Sequence, residues 1–417
     1  MRRASRFAWR GIMGRIRKLT KRLPALIVDI LRLCYQVTHG RTTIGTVVNK
    51  IRYISDRQKN SLIKFVPPVF NITISDQCNM RCPNCYHLLI DENRFFHSYI
   101  EVDKFREVLY RYRKQHAGEV VFLSGGEPLM HPKFTELVEI CLRYGMLPRL
   151  STNGILVSRF LDVLCKLDII NVSLDSYDYE SFKRYRGGTM KQFEEVQNSL
   201  SMLKNRGIHF TVSFVISKEN ISELGKMLDF AMSFEPDAVH FLNIEPHEDA
   251  RFDTLIRQDA ESMQHIEKVL DRNDFSMNIY FSHIFDIDSA AFRETKCMQP
   301  WTNLCFNSTG DMSLCCKLPP SAEVGNIFQG DDSNSQAMIK FRTEIVHGNF
   351  PDGCIFCHRR FPLDDYFATF DSKRREWTVK PMASVEGELI EQVRRVMTTE
   401  NTQASTVPVN IERRQAL

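Results

Sequence analysis

Two adjoining stretches decide how this chain reads: Val69-Phe-Asn-Ile-Thr-Ile-Ser75 and Cys78-Asn-Met-Arg-Cys82-Pro-Asn-Cys85. The first is a short apolar strand, and the second follows it directly. Three thiolates within eight residues can wrap three corners of one cubane iron–sulfur cluster, which would leave its fourth iron without a protein ligand. A substrate or cofactor can chelate that open iron. Zinc is the competing occupant, although structural zinc sites favour C-x2-C pairs and four protein ligands.

Outward from this point, short apolar strands alternate with amphipathic helices. Strands are predicted near 69–75, 120–123, 148–152, 169–174, 209–215 and 238–243. Helices are predicted over 102–114, 132–143, 156–166, 191–204, 221–233 and 258–272. Six βα repeats in this order imply a parallel sheet. The fold class is α/β: a partial (β/α)6 TIM-like barrel, open at one side, with its chemistry at the C-terminal ends of the strands. An amphipathic segment precedes the barrel and a small Cys-rich domain follows it. The expected boundaries are 1–64, 65–280, 281–375 and a polar, partly disordered tail over 376–417.

Further segments stand just after strands. Gly125-Gly126-Glu127-Pro128 follows the second, Ser151-Thr152-Asn153-Gly154 ends the third, and Ser173-Leu174-Asp175-Ser176 ends the fourth; Tyr185-Arg186-Gly187 comes next. With the cysteine triad, this order over about 70–275 resembles the radical S-adenosylmethionine (SAM) superfamily. The resemblance implies a [4Fe–4S] cluster on Cys78, Cys82 and Cys85. It also implies SAM contacts at Gly125, Gly126, Glu127, Asn153, Ser173, Asp175 and Arg186, with Glu127 on the SAM ammonium and Arg186 on its carboxylate. The reaction implied is reductive cleavage of SAM to a 5′-deoxyadenosyl radical, which takes a hydrogen atom from the substrate, with flavodoxin or ferredoxin as electron donor. One departure is Asn84, where the family often has an aromatic or apolar residue; Tyr86 follows the third cysteine instead.

Nine of the 12 cysteines fall in three groups, at 78/82/85, 297/305/315/316 and 354/357. In a chain this long without a convincing secretory signal, such clustering favours metal ligation over disulfides. The spacing Cys297-x12-Gly310-x4-Cys315, followed by Cys354-Ile-Phe-Cys357, resembles the SPASM extension in its shorter, single-cluster twitch form. That implies a second, auxiliary [4Fe–4S] cluster on Cys297, Cys315, Cys354 and Cys357, with Cys305 and Cys316 as rival ligands. A four-cysteine zinc site is the alternative. Trp301 is expected to pack beside it.

Composition is that of a globular protein: 43% apolar and 25% charged, with a net charge of +4. The charge is split. Residues 1–64 hold 16 basic and 2 acidic side chains, so the remaining chain is acidic. On a helical wheel, Trp9, Ile12, Met13, Ile16, Leu19, Leu23, Ile27, Ile30 and Leu31 form one apolar face; Arg10, Arg15, Lys18, Lys21 and Arg22 lie opposite. Pro24 is expected to kink this helix. A peripheral membrane anchor over residues 5–36 fits that pattern. A transit peptide, a nucleic-acid arm and a docking segment are the other readings, and the apolar stripe argues against a nucleic-acid role. The expected location is cytoplasmic, peripheral on the inner face of the membrane.

Asn243, Glu245 and His247 follow the sixth strand where substrate would lie. His131 reads as a helix-start residue, and Cys34, Cys141 and Cys165 as core cysteines. No general base stands out. The substrate classes implied are a lipid, lipid-linked sugar or envelope glycan precursor, and, from the SPASM resemblance, a ribosomal peptide. A metal-binding protein without turnover is the reading from another class.

Overall fold

The computed structural model describes residues 43–57, 59–85, 98–244, 260–272, 277–282, 297–349, 354, 366–371 and 376–381. Residues 41–364 with 368–378 form one compact unit. The expected helix over 5–36, together with Cys34, lies outside the described residues, as do Glu245, His247, Cys357 and the tail beyond 381.

Helix α1 (Ile44–Asp56) is followed by β1 (Val69–Ser75), α2 (Val102–His116), β2 (Val120–Gly125), α3 (Phe134–Arg143), β3 (Leu147–Thr152), α4 (Leu161–Leu164), β4 (Ile169–Ser173), α5 (Tyr179–Arg186), α6 (Met190–Asn205), β5 (Phe210–Ile216), α7 (Leu224–Met232), β6 (Ala238–Asn243), α8 (Ala260–Leu270) and β7 (Asn278–Ser282). After these come α9 (Gln299–Thr302), β8 (Asn303–Phe306), β9 (Met312–Ser313) and α10 (Gln336–Val346), then a two-stranded sheet of β10 (Tyr366–Asp371) and β11 (Glu376–Pro381).

The main sheet runs β7-β6-β5-β4-β3-β2-β1-β8-β9, so its two edges, β7 and β9, leave the barrel open. Pairing is parallel from β7 through β8, and β9 returns antiparallel to β8. The six expected repeats are present, but the parallel sheet is larger than expected. β7 was not foreseen. β8, expected inside the Cys-rich domain, instead pairs with β1 in the register Asn71↔Cys305. Residues 376–381, expected in the polar tail, form β11. The expected helix at 156–166 is shortened to a 3-10 turn at Val157–Arg159 and one α-turn, α4.

Side-chain alternation along the strands separates two environments. On β1, Phe70, Ile72 and Ile74 are fully buried on the helix-facing side. Asn71 and Thr73 point the other way, into the lumen. Bulky branched side chains ordinarily fill the interior of a closed (β/α) barrel. Here many inward residues are small and polar, including Ser124, Ser151, Asn171 and Ser213, with Phe122, Val215 and Leu242 among them, and a cavity of about 490 Å³ remains. The polar side chains satisfy one another: Ser124 donates to Asn71 at 2.8 Å, Asn171 donates to Ser213 at 3.0 Å, and Thr211 donates to Asn171 at 3.0 Å.

A second apolar cluster forms beside the barrel. Trp301, wholly buried, packs with Ile63, Phe65, Phe341, Ile345 and Cys354, and its indole donates to Asn60 O at 2.8 Å. Arg342 is also wholly buried there. Its guanidinium donates to the carbonyls of Ser61 at 2.7 Å and Pro300 at 3.3 Å and to that of Ser333, tying two loops and α9 to α10. Burial pushes its pKa down to about 10, leaving it charged at neutral pH.

His116, at the end of α2, is fully buried and stacks on Phe70 with ring centroids 3.8 Å apart. Its Nε2 donates to Val120 O at 3.0 Å, and its Nδ1 has no partner. Burial, opposed by that hydrogen bond, holds its pKa down at about 4. An unfolded chain takes up the proton near the ordinary value of about 6.5. The imidazole therefore costs no stability above pH 7. Stability falls as pH drops through 6.5, and the full loss, ~3 kcal/mol, is reached below pH 4. His116→Phe is expected to remove about 2 kcal/mol of the stability lost between pH 7 and pH 5. Urea unfolding of both proteins at the two pH values checks this; parallel losses would refute it.

Candidate functional site

The cavity opens among the C-terminal ends of the strands, and the cysteine loop after β1 forms part of its wall. Cys78, Cys82 and Cys85 all line it as free thiols. The loop is fixed from several sides. Asn153, just past β3, donates to Asn79 Oδ1 at 2.6 Å and to Cys78 Sγ at 3.9 Å. Gln192, at the start of α6, donates to Asn79 O at 3.2 Å.

The end of β2 comes very close to this loop. Gly126 N donates to Ser75 O at 2.8 Å, and Glu127 N donates to Gln77 O at 2.7 Å. A Cβ on Gly125 would lie 2.1 Å from Ser75 O, and one on Gly126 would lie 2.5 Å from Gln77 O. Gly125 also adopts φ +129°, a conformation that glycine alone takes without strain. Only bare backbone fits between the two strand ends.

Glu127 sits differently from the expectation. It is fully buried and does not line the cavity. Its Oε1 accepts from Leu129 N at 3.1 Å and Thr152 Oγ1 at 2.8 Å, and its Oε2 accepts from Asn153 N at 2.7 Å. In this structure the carboxylate braces β2 against β3 and is not presented to an ammonium. The other six residues expected to contact SAM all line the cavity: Gly125, Gly126, Asn153, Ser173, Asp175 and Arg186.

Local sequence delivers Asp175 and Arg186. A capping box between Asp178 and Ser181 starts α5, and Gly187 in the left-handed conformation stops it, so Arg186 falls on the last turn. Its Nη1 donates to Asp175 Oδ2 at 2.8 Å, while Asp175 Oδ1 accepts from Val215 N at 2.6 Å. Burial opposes the charge on Arg186, but Cys82, Asp175 and Cys78 outweigh it and raise its pKa. Its Nε is buried with no hydrogen-bond partner. An N–H left unpaired beside a cavity is an open place for an anionic oxygen.

The thiols themselves suit a multinuclear cation. Burial pushes Cys78 up to about 11, with Glu127, Cys82 and Cys85 adding to the effect and the Met80 backbone opposing it. Cys82 is raised too, by burial first, while Arg186 pulls it back. Metal ligation is what deprotonates such thiols; among the described residues, no three His, Cys, Asp or Glu side chains are grouped as they would be around a single metal ion.

The second cysteine set divides. Cys297 packs against the Trp301 cluster that contains Cys354. Cys315 is buried next to Leu314, which packs there as well. The rivals Cys305 and Cys316 line the cavity instead, Cys316 with its Sγ 3.6 Å from Gln299 Oε1. Trp301 shares this apolar cluster with Cys354, and Cys297 packs against it.

Other expectations meet mixed outcomes. Asn243 is buried, but on the outer face of β6; its neighbours Leu242 and Ile244 line the cavity, so alternation turns Asn243 away. His131 organises the turn before α3, with Nε2 against Ile100 O at 2.9 Å and Nδ1 accepting from Lys133 N at 3.0 Å. Cys141 is a core residue, but Cys165 is exposed, because α4 ends before it and its thiol turns to Asp162 O at 3.1 Å.

His240 went unnoticed in the sequence. It shares the lumen face of β6 with Leu242 and Ile244 and pairs in register with Ser213 and Tyr280. Its ring stacks on Tyr280 at 5.0 Å. Its Nε2 is buried without a partner, and burial holds its pKa down at about 4, so it presents a neutral imidazole.

Comparison with known proteins bears on the family and the fold. Residues 72–231 match the family model of the Radical SAM superfamily. The chain is 27% identical over 180 residues to a GTP 3′,8-cyclase of Synechocystis sp., covering 42% of this chain and 53% of that protein. It is 23% identical over 279 residues to the antilisterial bacteriocin subtilosin biosynthesis protein AlbA of Bacillus subtilis, covering 66% and 59%. The crystal structure of Streptococcus suis SuiB bound to precursor peptide SuiA superposes with a TM-score of 0.53 at 15% identity, covering 75% of this chain and 74% of that one. The chain spans about half to two thirds of the length of the curated relatives it matches. Among the described residues, no helix is long and apolar enough to cross a membrane.

Cys82→Ala is expected to lower the iron bound after anaerobic reconstitution by about four atoms per chain. Iron analysis measures it, and unchanged iron would remove the triad from the site.

Proposed function

Because this chain carries a radical SAM domain, we propose that it is an enzyme that cleaves SAM reductively and abstracts a hydrogen atom from a polar substrate. The observation that carries the reading is convergence on one cavity of three thiols, a close-packed glycine pair and a buried arginine with an unpaired N–H. Cys78, Cys82 and Cys85 would hold a [4Fe–4S] cluster, which would supply the electron for reductive cleavage of SAM and would itself be re-reduced by a one-electron donor such as flavodoxin or ferredoxin.

The chain's own residues then have distinct tasks. Gly125 and Gly126 keep side chains out of the strip where SAM lies. Arg186 holds the SAM carboxylate through the N–H groups left over from Asp175. Ser173 and Asn153 supply hydrogen-bonding groups at the same wall. Glu127 holds Asn153 in place from behind.

The substrate reading is a peptide segment. The lining mixes hydroxyl and amide groups such as Asn71 and Ser213 with apolar side chains such as Phe122 and Leu242, which suits a peptide with both kinds of group, and similar proteins include a bacteriocin biosynthesis protein and a structure with a bound precursor peptide. A lipid-linked sugar or envelope glycan precursor is the second reading, favoured by the basic amphipathic stripe over residues 5–36.

Cys297, Cys315, Cys354 and Cys357 are proposed to hold an auxiliary [4Fe–4S] cluster that transfers electrons; Cys297 and Cys354 already share one apolar cluster. After anaerobic reconstitution, 5′-deoxyadenosine formation from SAM with dithionite tests the main reading. Absence of product with about eight irons bound would sink it. The double variant Cys354→Ala and Cys357→Ala is expected to retain SAM cleavage with about four irons fewer. Loss of cleavage as well would show that this site is needed for the fold.

A further inference from the structure

Helix α1 is built inside out. Its inward face is polar: Thr46 and Asn49 are both buried. Thr46 Oγ1 donates to Ala117 O at 2.9 Å. Asn49 donates to Val66 O at 2.8 Å and accepts from Val66 N at 2.7 Å. Its outward face is apolar. Ile44, Val48 and Ile51 are 69%, 39% and 60% exposed, and Leu62 nearby is 57% exposed. The spacing i, i+4, i+7 puts the three helical side chains in one stripe, the stripe that a surface helix ordinarily turns inward.

Rotation of the helix cannot relieve this arrangement. A Cβ on Gly45 would lie 2.3 Å from Lys114 O, so the backbone is pressed against α2. Lys50 pairs with Glu119 at 3.3 Å, and Tyr53 shares a hydrogen bond with Thr302 at 3.0 Å. An apolar stripe held outward by fixed polar contacts marks an interaction surface.

Charge identifies the partner. Residues 43–64 contain five cations and one acid, and Lys50, Arg52, Lys59 and Lys64 are exposed. The 42 residues before them contain eleven cations and one acid. A short helix with aliphatic side chains outermost and cations around them has the pattern of an interfacial helix on anionic lipid.

We propose that the outer face of α1, with Leu62, docks on an anionic lipid surface. Ile44, Val48 and Ile51 enter the headgroup boundary, and the neighbouring cations meet lipid phosphates. This contact belongs to the folded body and is independent of the SAM chemistry. It deepens the membrane reading of residues 5–36 but does not require that segment to bind.

Co-sedimentation of the full chain with vesicles of phosphatidylcholine containing about a third phosphatidylglycerol tests the proposal. Three proteins are compared: wild type, the α1 variant I44S/V48S/I51S, and the N-terminal variant W9D/I12D/I16D. The α1 variant is expected to lose roughly tenfold in partitioning and Ile51→Ser alone roughly threefold, while SAM binding is unchanged because all three side chains are exposed. The N-terminal variant is expected to retain part of the binding. Undiminished binding by the α1 variant together with loss by the N-terminal variant would overturn the proposal and leave residues 5–36 as the whole anchor. No binding by wild type would overturn both. A fall in molecular mass of the α1 variant in analytical ultracentrifugation would also overturn it, by showing that a second copy covers the stripe.

Discussion

One buried carboxylate holds the working end of this barrel together. Glu127 takes three donors in a place closed to water: the amides of Leu129 and Asn153 and the hydroxyl of Thr152. Burial pushes its pKa up, and the three donors oppose that shift. Charge-assisted bonds of this kind are about twice as strong as neutral ones and directional. Through them β2 is locked to β3. Asn153 is then set against Cys78 and Asn79, and the glycine pair is pressed against Ser75 and Gln77. The cysteine loop, the glycine pair and the lumen mouth inherit their positions from that brace.

The lumen follows from a different constraint. Strands buried on both faces usually read as continuous apolar runs. Here Phe70, Ile72 and Ile74 face the helices while Asn71 and Thr73 face inward. Apolar burial on one face stabilises the barrel, and small polar residues on the other keep its interior from filling. The same division explains why Cys305, on β8 opposite Asn71, points into the cavity while Cys297 and Cys354 pack around Trp301.

Much of this was legible in sequence. The strand before Cys78 and the six repeats were readable because apolar runs and amphipathic helices carry strong periodic signals. The residues after the strands were readable because a cysteine triad and glycine pairs tolerate few alternatives. Three things were not. β7 and β8 are short and set in stretches without a repeat. Glu127 shows its role only when Thr152 and Asn153, 25 and 26 residues later, are seen to donate to it. Asn243 and His240 lie three residues apart on one strand, and only the register with β5 and β7 tells which of them faces inward. The small polar residues of alternate strand positions were a usable signal for the lumen.

The placement of α1 has a consequence for traffic. Its polar contacts are to Ala117, Glu119 and Val66, residues that lead into β2 and β1. The helix therefore lies by the floor where those strands begin, whereas the cavity and the cysteine loop lie at the rim where they finish. β1 alone separates the two by seven residues, roughly 23 Å at strand rise. A surface gripping the floor leaves the rim open to water. Whatever reacts there would be delivered from solution, and a headgroup reaching it from the same bilayer would have to span the height of the sheet.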